Sequence, residues 1–168
     1  MTNLTKSKER ISEHGEVYTP TYIVQEMISL VSNRDWGDPS LICLEPTCGN
    51  GQFIEPLIKK KMEAGLSPED ACNTVFGLDI LSDNVNECRQ RVWDIVNPLV
   101  NGKKNKDRLR AILINNIVVA NFIPFVKGGK WEAKKFFDKD PTGSGQVLPL
   151  KHQKEVLKAI ATKGVLHD

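Results

Sequence analysis

With 168 residues, 40% of them hydrophobic and 26% charged, the chain has enough apolar content for one folded domain, which excludes a disordered segment. No apolar run approaches ~20 residues, and Met1 to Arg10 lacks an apolar core, so neither a membrane span nor a secretory signal is expected and the cytoplasm is the expected compartment. The net charge of +2 is unevenly spread: residues 1–100 carry 9 Lys/Arg against 15 Asp/Glu, and residues 101–168 carry 14 against 6. Such asymmetry fits either a polyanion contact on the C-terminal third or a solvated basic face.

Residues 1–15 read as a polar arm. A helix is expected after Thr19-Pro20, with Thr19 as cap and an apolar stripe of Ile23, Val24, Met27, Ile28 and Val31. Gly37 and Pro39 mark a turn before a strand at about Leu41 to Leu44, and a helix is expected from about Gly51 to Ala64, ended by Gly65. Ser67-Pro68-Glu69-Asp70 starts a short helix. Val75-Phe76-Gly77-Leu78 is a second strand ending on Asp79, and Ser82 caps a helix with the stripe Val85, Cys88, Val92, Ile95 and Val96. After a polar break containing Asn101-Gly102, a helix from about Asp107 to Ile114 leads to a strand, Ile117 to Ala120. Successive strand–helix units imply an α/β fold with a parallel sheet and right-handed crossovers. Beyond Asn121 the pattern weakens to a loop at Pro141 to Gly145 and a terminal amphipathic helix at Leu150 to Thr162.

The densest chemistry lies between the first strand and its helix, in Leu44-Glu45-Pro46-Thr47-Cys48-Gly49-Asn50-Gly51-Gln52-Phe53. Glycine has no Cβ, so Gly49 and Gly51 allow a ligand close to the backbone, although an ordinary glycine turn with nothing bound is the competing reading. A dinucleotide fingerprint would need a third glycine where Ile54 stands, and no Gly-Lys-Ser/Thr phosphate loop occurs. Glu45 at the strand end disfavours a phosphate and suits an ammonium, such as that of S-adenosylmethionine (SAM). Asp79, ending the next strand, can accept hydrogen bonds from vicinal ribose hydroxyls, with Ile80 beside the adenine; a helix N-terminal charge or a loop salt bridge is the alternative for Asp79. Cys43, Cys48, Cys72 and Cys88 form no C-x-x-C pair, so reduced thiols and no metal site are expected. His14, His152 and His167 are scattered and polar-flanked and are given no chemistry.

Three segments in order, Gly15-Glu16-Val17-Tyr18-Thr19-Pro20, Leu44 to Phe53, and Phe76-Gly77-Leu78-Asp79-Ile80, resemble the SAM-binding half of class I DNA methyltransferases, most closely the adenine-N6 group. The likeness spans about Gly15 to Asn121. It implies a Rossmann-like class I methyltransferase sheet, incomplete here, with a SAM-binding domain over residues 16–121 and a basic extension over residues 122–168. By the same resemblance, Tyr18, Thr19 and Pro20 lie at the methionine end, and Glu45 lies near the ammonium. Gly49 and Gly51 form the close-approach loop, Asp79 holds the ribose and Ile80 flanks the adenine. Asn121 stands where the family often has an acid facing the adenine amino group.

The family transfers its methyl group with an Asp/Asn/Ser-Pro-Pro-Tyr/Phe tetrapeptide. This chain has nine prolines and no Pro-Pro pair; Asn97-Pro98 is followed by Leu99. A Pro-Cys pair, the mark of a cysteine nucleophile in cytosine-C5 enzymes, is also missing, and 47 residues follow Asn121. The expectation is a cofactor half, inactive alone or acting with a second methyltransferase subunit or another copy of itself. A non-catalytic SAM-binding module, regulatory or directed against restriction, is the first alternative, and a small-molecule methyltransferase is the second. Lys130, Lys134 and Lys135, interleaved with Trp131, Phe136 and Phe137, could clamp and stack on DNA or pack on the sheet.

Overall fold

The computed structural model describes residues 5–31 and 36–120, together with the backbone of two short strands at residues 126–127 and 130–131. Three strands, β1 (Cys43–Glu45), β2 (Val75–Asp79) and β3 (Ile117–Val119), form a parallel sheet in the order β1-β2-β3. Leu44 lies opposite Phe76 across one ladder, and Leu78 opposite Val118 across the other. In β2, Val75, Phe76, Gly77 and Leu78 are all buried, which explains its unbroken apolar run: a central parallel strand is covered on both faces.

Parallel neighbours need long crossovers, and helices supply them. Between β1 and β2 run α3 (Ile54–Glu63) and α4 (Pro68–Asn73); between β2 and β3 run α5 (Ser82–Val96) and α6 (Lys103–Asn116). The main core joins Ile54 and Ile58 of α3, Cys72 of α4, Leu109 and Leu113 of α6, and Val85, Cys88, Val92 and Val96 of α5. The α5 stripe therefore packs as its 3–4 spacing predicts, with Ile95 at the core's margin. Full burial of each valine or isoleucine contributes about 1.5–3 kcal/mol. Ser67 caps α4 by accepting from the Asp70 amide at 3.1 Å, with Pro68 in the first turn.

The N-terminal region departs from its sequence pattern. The polar arm contains a helix, α1 (Lys8–His14), that buries no residue, is capped by Ser7, and ends at Gly15 with φ of 63°. A second helix, α2 (Thr21–Ser29), begins after Pro20, and no side chain caps it, Thr19 included. Only Val24 and Ile28 of its expected stripe are buried, against Trp36; Met27 and Val31 are exposed. Among the described residues, Trp36, Leu41, Cys43, Phe53 and Leu57 pack on that one side. In α6 the helix starts four residues earlier than the apolar spacing indicates. Its first turn, Lys103 to Lys106, faces outward and carries no periodic signal.

Lys61 is fully buried on α3, and its ammonium donates to the Leu41 carbonyl at 2.7 Å, tying the helix to the chain entering β1. Burial pushes its pKa down, opposed by Cys43 and Asp38. Among the described residues, no helix is long and apolar enough to cross a membrane. The expected loop at Pro141 to Gly145, the helix at Leu150 to Thr162, and the side chains of the basic–aromatic segment lie outside the described residues. The two short strands, β4 (Val126–Lys127) and β5 (Lys130–Trp131), pair antiparallel.

Candidate functional site

β1 and β2 run side by side, so their carboxyl ends deliver Glu45 and Asp79 to the same rim of the sheet. There they line a cavity of about 420 Å³ together with Tyr18, Thr19, Cys48, Gly49, Phe53 and Ile80. This is the crevice outside the carboxyl ends of parallel strands where open α/β sheets take ligands, and the volume suits a small molecule.

The loop after β1 is anchored by backbone. The Cys48 amide donates to the Leu78 carbonyl at 2.7 Å, and the Gly51 amide closes a turn onto the Cys48 carbonyl at 2.9 Å. Asp79 fixes the loop from the other side. Its Oδ2 accepts from the Gly49 amide at 3.0 Å and its Oδ1 from the Leu81 amide at 2.8 Å. A carboxylate offers about four acceptor positions; with Asn84 Nδ2 also 3.5 Å from Oδ1, the position left for a further donor is on Oδ2. Glu45 Oε1 accepts from the Thr47 amide and hydroxyl at 3.2 and 3.3 Å. Burial nonetheless raises the Glu45 pKa against those two bonds, so a cationic ligand group beside it would relieve an uncompensated charge.

Gly49 and Gly51 have different work. A Cβ on Gly49, at φ of 51°, would lie 3.2 Å from the Tyr18 ring. That ring edge closes on the loop from the N-terminal segment. Gly51, at φ of 95°, has its α-carbon turned to α5: a Cβ there would lie 2.8 Å from Cys88 Sγ and 3.3 Å from its Cα. Gly51 is not among the cavity's lining residues. The close approach that Gly51 makes in the structure is to a helix. Pro20 likewise stands behind the site as the residue from which α2 starts, whereas Tyr18 and Thr19 line the cavity. Ile80 is half exposed at the rim. Asn121 lies outside the described residues, and its predecessor Ala120 lines the cavity.

Beside the cavity stands a polar network that sequence patterning did not single out. Tyr18 is buried and its hydroxyl donates to Glu16 Oε1 at 2.6 Å. Asn84, from the first turn of α5, is fully buried and donates to the same carboxylate at 2.8 Å. Arg10 of α1 pairs with Glu16 through both Nε and Nη2, and with Asp83 through Nη1 at 2.6 Å. Burial works to raise the Glu16 pKa, but the bonds from Arg10, Tyr18 and Asn84 overcome it and hold the carboxyl at about 2. The Arg10 guanidinium, with Lys6, holds Asp83 at about 2 against its burial. Burial and the Glu16 carboxylate push the Tyr18 hydroxyl up, so it remains a donor. His14 also lines the cavity, although its sequence surroundings gave no chemical signal. The only available signal for Glu16 was its place in the quoted Gly15-to-Pro20 run. Asn84 had none, because a lone asparagine after a strand end reads as a capping residue.

Cys48 and Cys88 meet beneath the loop, and all four cysteines are free thiols. Hydrogen bonding to Cys88, with burial, raises the Cys48 thiol well above the usual range, which makes it inert. Comparison with known proteins finds no matching family model, no matching curated protein and no matching solved structure.

Proposed function

We propose that this cavity binds SAM and that the chain is the cofactor-binding half of an adenine-N6 DNA methyltransferase-like protein with a Rossmann-like sheet. The observation that carries the reading is the pairing of two carboxylates, Glu45 and Asp79, at adjacent strand ends around one cavity. The residues present fit this cofactor. Glu45 offers a partly desolvated carboxylate to an ammonium, and Asp79 keeps an acceptor position on Oδ2 for a ribose hydroxyl. Tyr18 and Phe53 provide flat apolar walls, and half-exposed Ile80 gains cover from an adenine ring. Bound SAM supplies an electrophilic methyl group; the residues described here bind and orient it and contribute no general base.

Methyl transfer to an extruded adenine requires a group that holds the target amine, and no Pro-Pro tetrapeptide exists in the sequence. The proposed activity is therefore shared: this chain brings the cofactor, and a second methyltransferase subunit or another copy brings the base-holding segment. Target DNA would be held electrostatically by the basic C-terminal third. The missing tetrapeptide equally favours a second reading, a non-catalytic SAM-binding module that regulates or counters DNA methylation and restriction. Equilibrium dialysis against radiolabelled SAM, then a methyl-transfer assay on mixed-sequence DNA with and without neighbouring gene products, tests both. Retained SAM with transfer only in the mixture supports the shared enzyme. Retained SAM with no transfer in any mixture supports the module, and no retained SAM ends both.

A further inference from the structure

The network at the cavity joins α1 and the segment before it to the start of α5. α1 buries no residue, so hydrophobic packing does not hold it in place. What holds it is charge. Lys6 reaches Asp83 at 3.1 Å and Glu87 at 2.7 Å, and Arg10 reaches Asp83 and Glu16. Directly after α1, the segment from His14 to Thr19 forms one wall of the cavity. The wall's position thus depends on whether the ionic attachment is made.

Asn84 connects the attachment to the cavity. Its Oδ1 accepts from Lys6 Nζ at 2.8 Å and Arg10 Nη2 at 3.2 Å, with Tyr18 Oη, whose single proton goes to Glu16, 3.0 Å away. Its Nδ2 donates to Glu16 Oε1 at 2.8 Å and approaches Asp79 Oδ1 at 3.5 Å. Two cationic donors face one end of the amide and two carboxylates face the other, which fixes the orientation of the group: a reversed amide would set its N–H bonds against Lys6 and Arg10. A buried amide whose partners all come from other elements cannot keep them if any one element leaves, and each abandoned partner costs about 1–3 kcal/mol.

We propose that Lys6 to Tyr18 is a strap latched over the cofactor cavity, with Arg10 as a positioning residue outside the cavity that acts through Asn84, on the cavity's lining, to set the Tyr18 wall and the Asp79 carboxylate. This rests on the SAM reading for the identity of the ligand, and on geometry alone for the latch. The charged groups facing Asn84 are Lys6, Arg10 and Glu16 from the strap and Asp79 from β2, with Asp83 and Glu87 flanking on α5.

The test uses the full chain as wild type, Arg10→Gln, Asn84→Ala and the double variant. S-adenosylhomocysteine affinity is read by calorimetry, and protection of Lys8–His14 by amide hydrogen exchange in the ligand-free protein. Arg10 does not line the cavity, so a merely structural arginine would leave affinity unchanged. The expected result is about a tenfold loss of affinity in each single variant, and no further loss in the double variant. Protection of α1 is expected to fall in all three. Raising salt should reproduce the Arg10→Gln loss in the wild type and add nothing in the variant. Wild-type affinity in Arg10→Gln, or additive losses in the double variant, would overturn the latch; because Arg10 is at the surface, this arm stands even if Asn84→Ala fails to fold. A wild type that binds no S-adenosylhomocysteine refutes the cofactor reading instead. Exchange then decides the latch by itself: unchanged α1 protection in Arg10→Gln overturns it, and lost protection upholds it.

Discussion

Asp79 carries two duties at one carboxylate, and they separate on mutation. Asp79→Ala removes the acceptor proposed for the ribose, a charge-assisted bond being worth about 1.5–3 kcal/mol. It also strips the Gly49 and Leu81 amides of their partner, so the loop should loosen even without ligand. Calorimetry should show weakened SAM binding, and hydrogen exchange should show faster amide exchange at Gly49 in the free protein. Gly51→Val should act on the fold before it acts on binding. Its Cβ would stand 2.8 Å from Cys88 Sγ on a backbone with φ of 95°, so overpacking of about 1–3 kcal/mol adds to backbone strain. A lowered melting temperature, partly restored by pairing Gly51→Ala with Cys88→Ala, is the expected outcome; a fully stable Gly51→Val protein would contradict this packing. The glycine pattern announced a close approach at positions 49 and 51. It could not announce what approaches, because a helix and a ligand leave the same mark on a sequence.

At the scale of elements, the apolar pattern made β2 and α5 legible, since each buries a continuous or 3–4-spaced set of side chains, and the end of β2 in turn located Asp79. α1 was illegible for the opposite reason: its partners are charges, and charges at Lys6, Arg10, Glu16 and Asp83 carry no periodic signature. The same chemistry makes the strap sensitive to acid. Glu16 and Asp83 both have pKa values depressed in the folded protein to about 2. Their stabilising contribution is therefore complete above the ordinary carboxylate values and is lost as pH falls from about 5 towards 2. For buried Glu16 the amount is on the order of 2 kcal/mol; exposed Asp83 adds less because solvent screens it. Exchange protection of Lys8–His14 should disappear over that range before the β2 amides lose theirs. Simultaneous loss in α1 and β2 would mean that the strap is not a separable unit.

Across the whole molecule, acid and base are segregated. Apart from Ala120, the cavity's lining comes from the acidic first hundred residues, while α6 presents Lys103, Lys104, Lys106, Arg108 and Arg110 with only Asp107 to offset them. Arg108 is paired with Glu69 at 2.7 Å and Arg110 lies over the Trp93 ring at 4.6 Å, whereas the three lysines form no ion pair among the described residues. If the basic third engages DNA, affinity should fall with salt at a log–log slope of about −0.9 per phosphate. Charge reversal at Lys127, Lys130, Lys134 and Lys135 should weaken DNA binding and spare SAM; a salt-insensitive affinity would leave that third as a solvated face. The isolated chain should transfer no methyl group to DNA, since its sequence has no Pro-Pro tetrapeptide to hold an extruded base. Each of these expectations presupposes an occupied cavity. The most direct measurement is therefore a calorimetric titration of the intact chain with S-adenosylhomocysteine, beside Glu45→Gln and Asp79→Ala. One saturable site in the wild type, weakened at least about tenfold in each variant, is the expected result. Absence of binding in a folded wild-type chain, or binding indifferent to both substitutions, would contradict the assignment of this cavity to SAM.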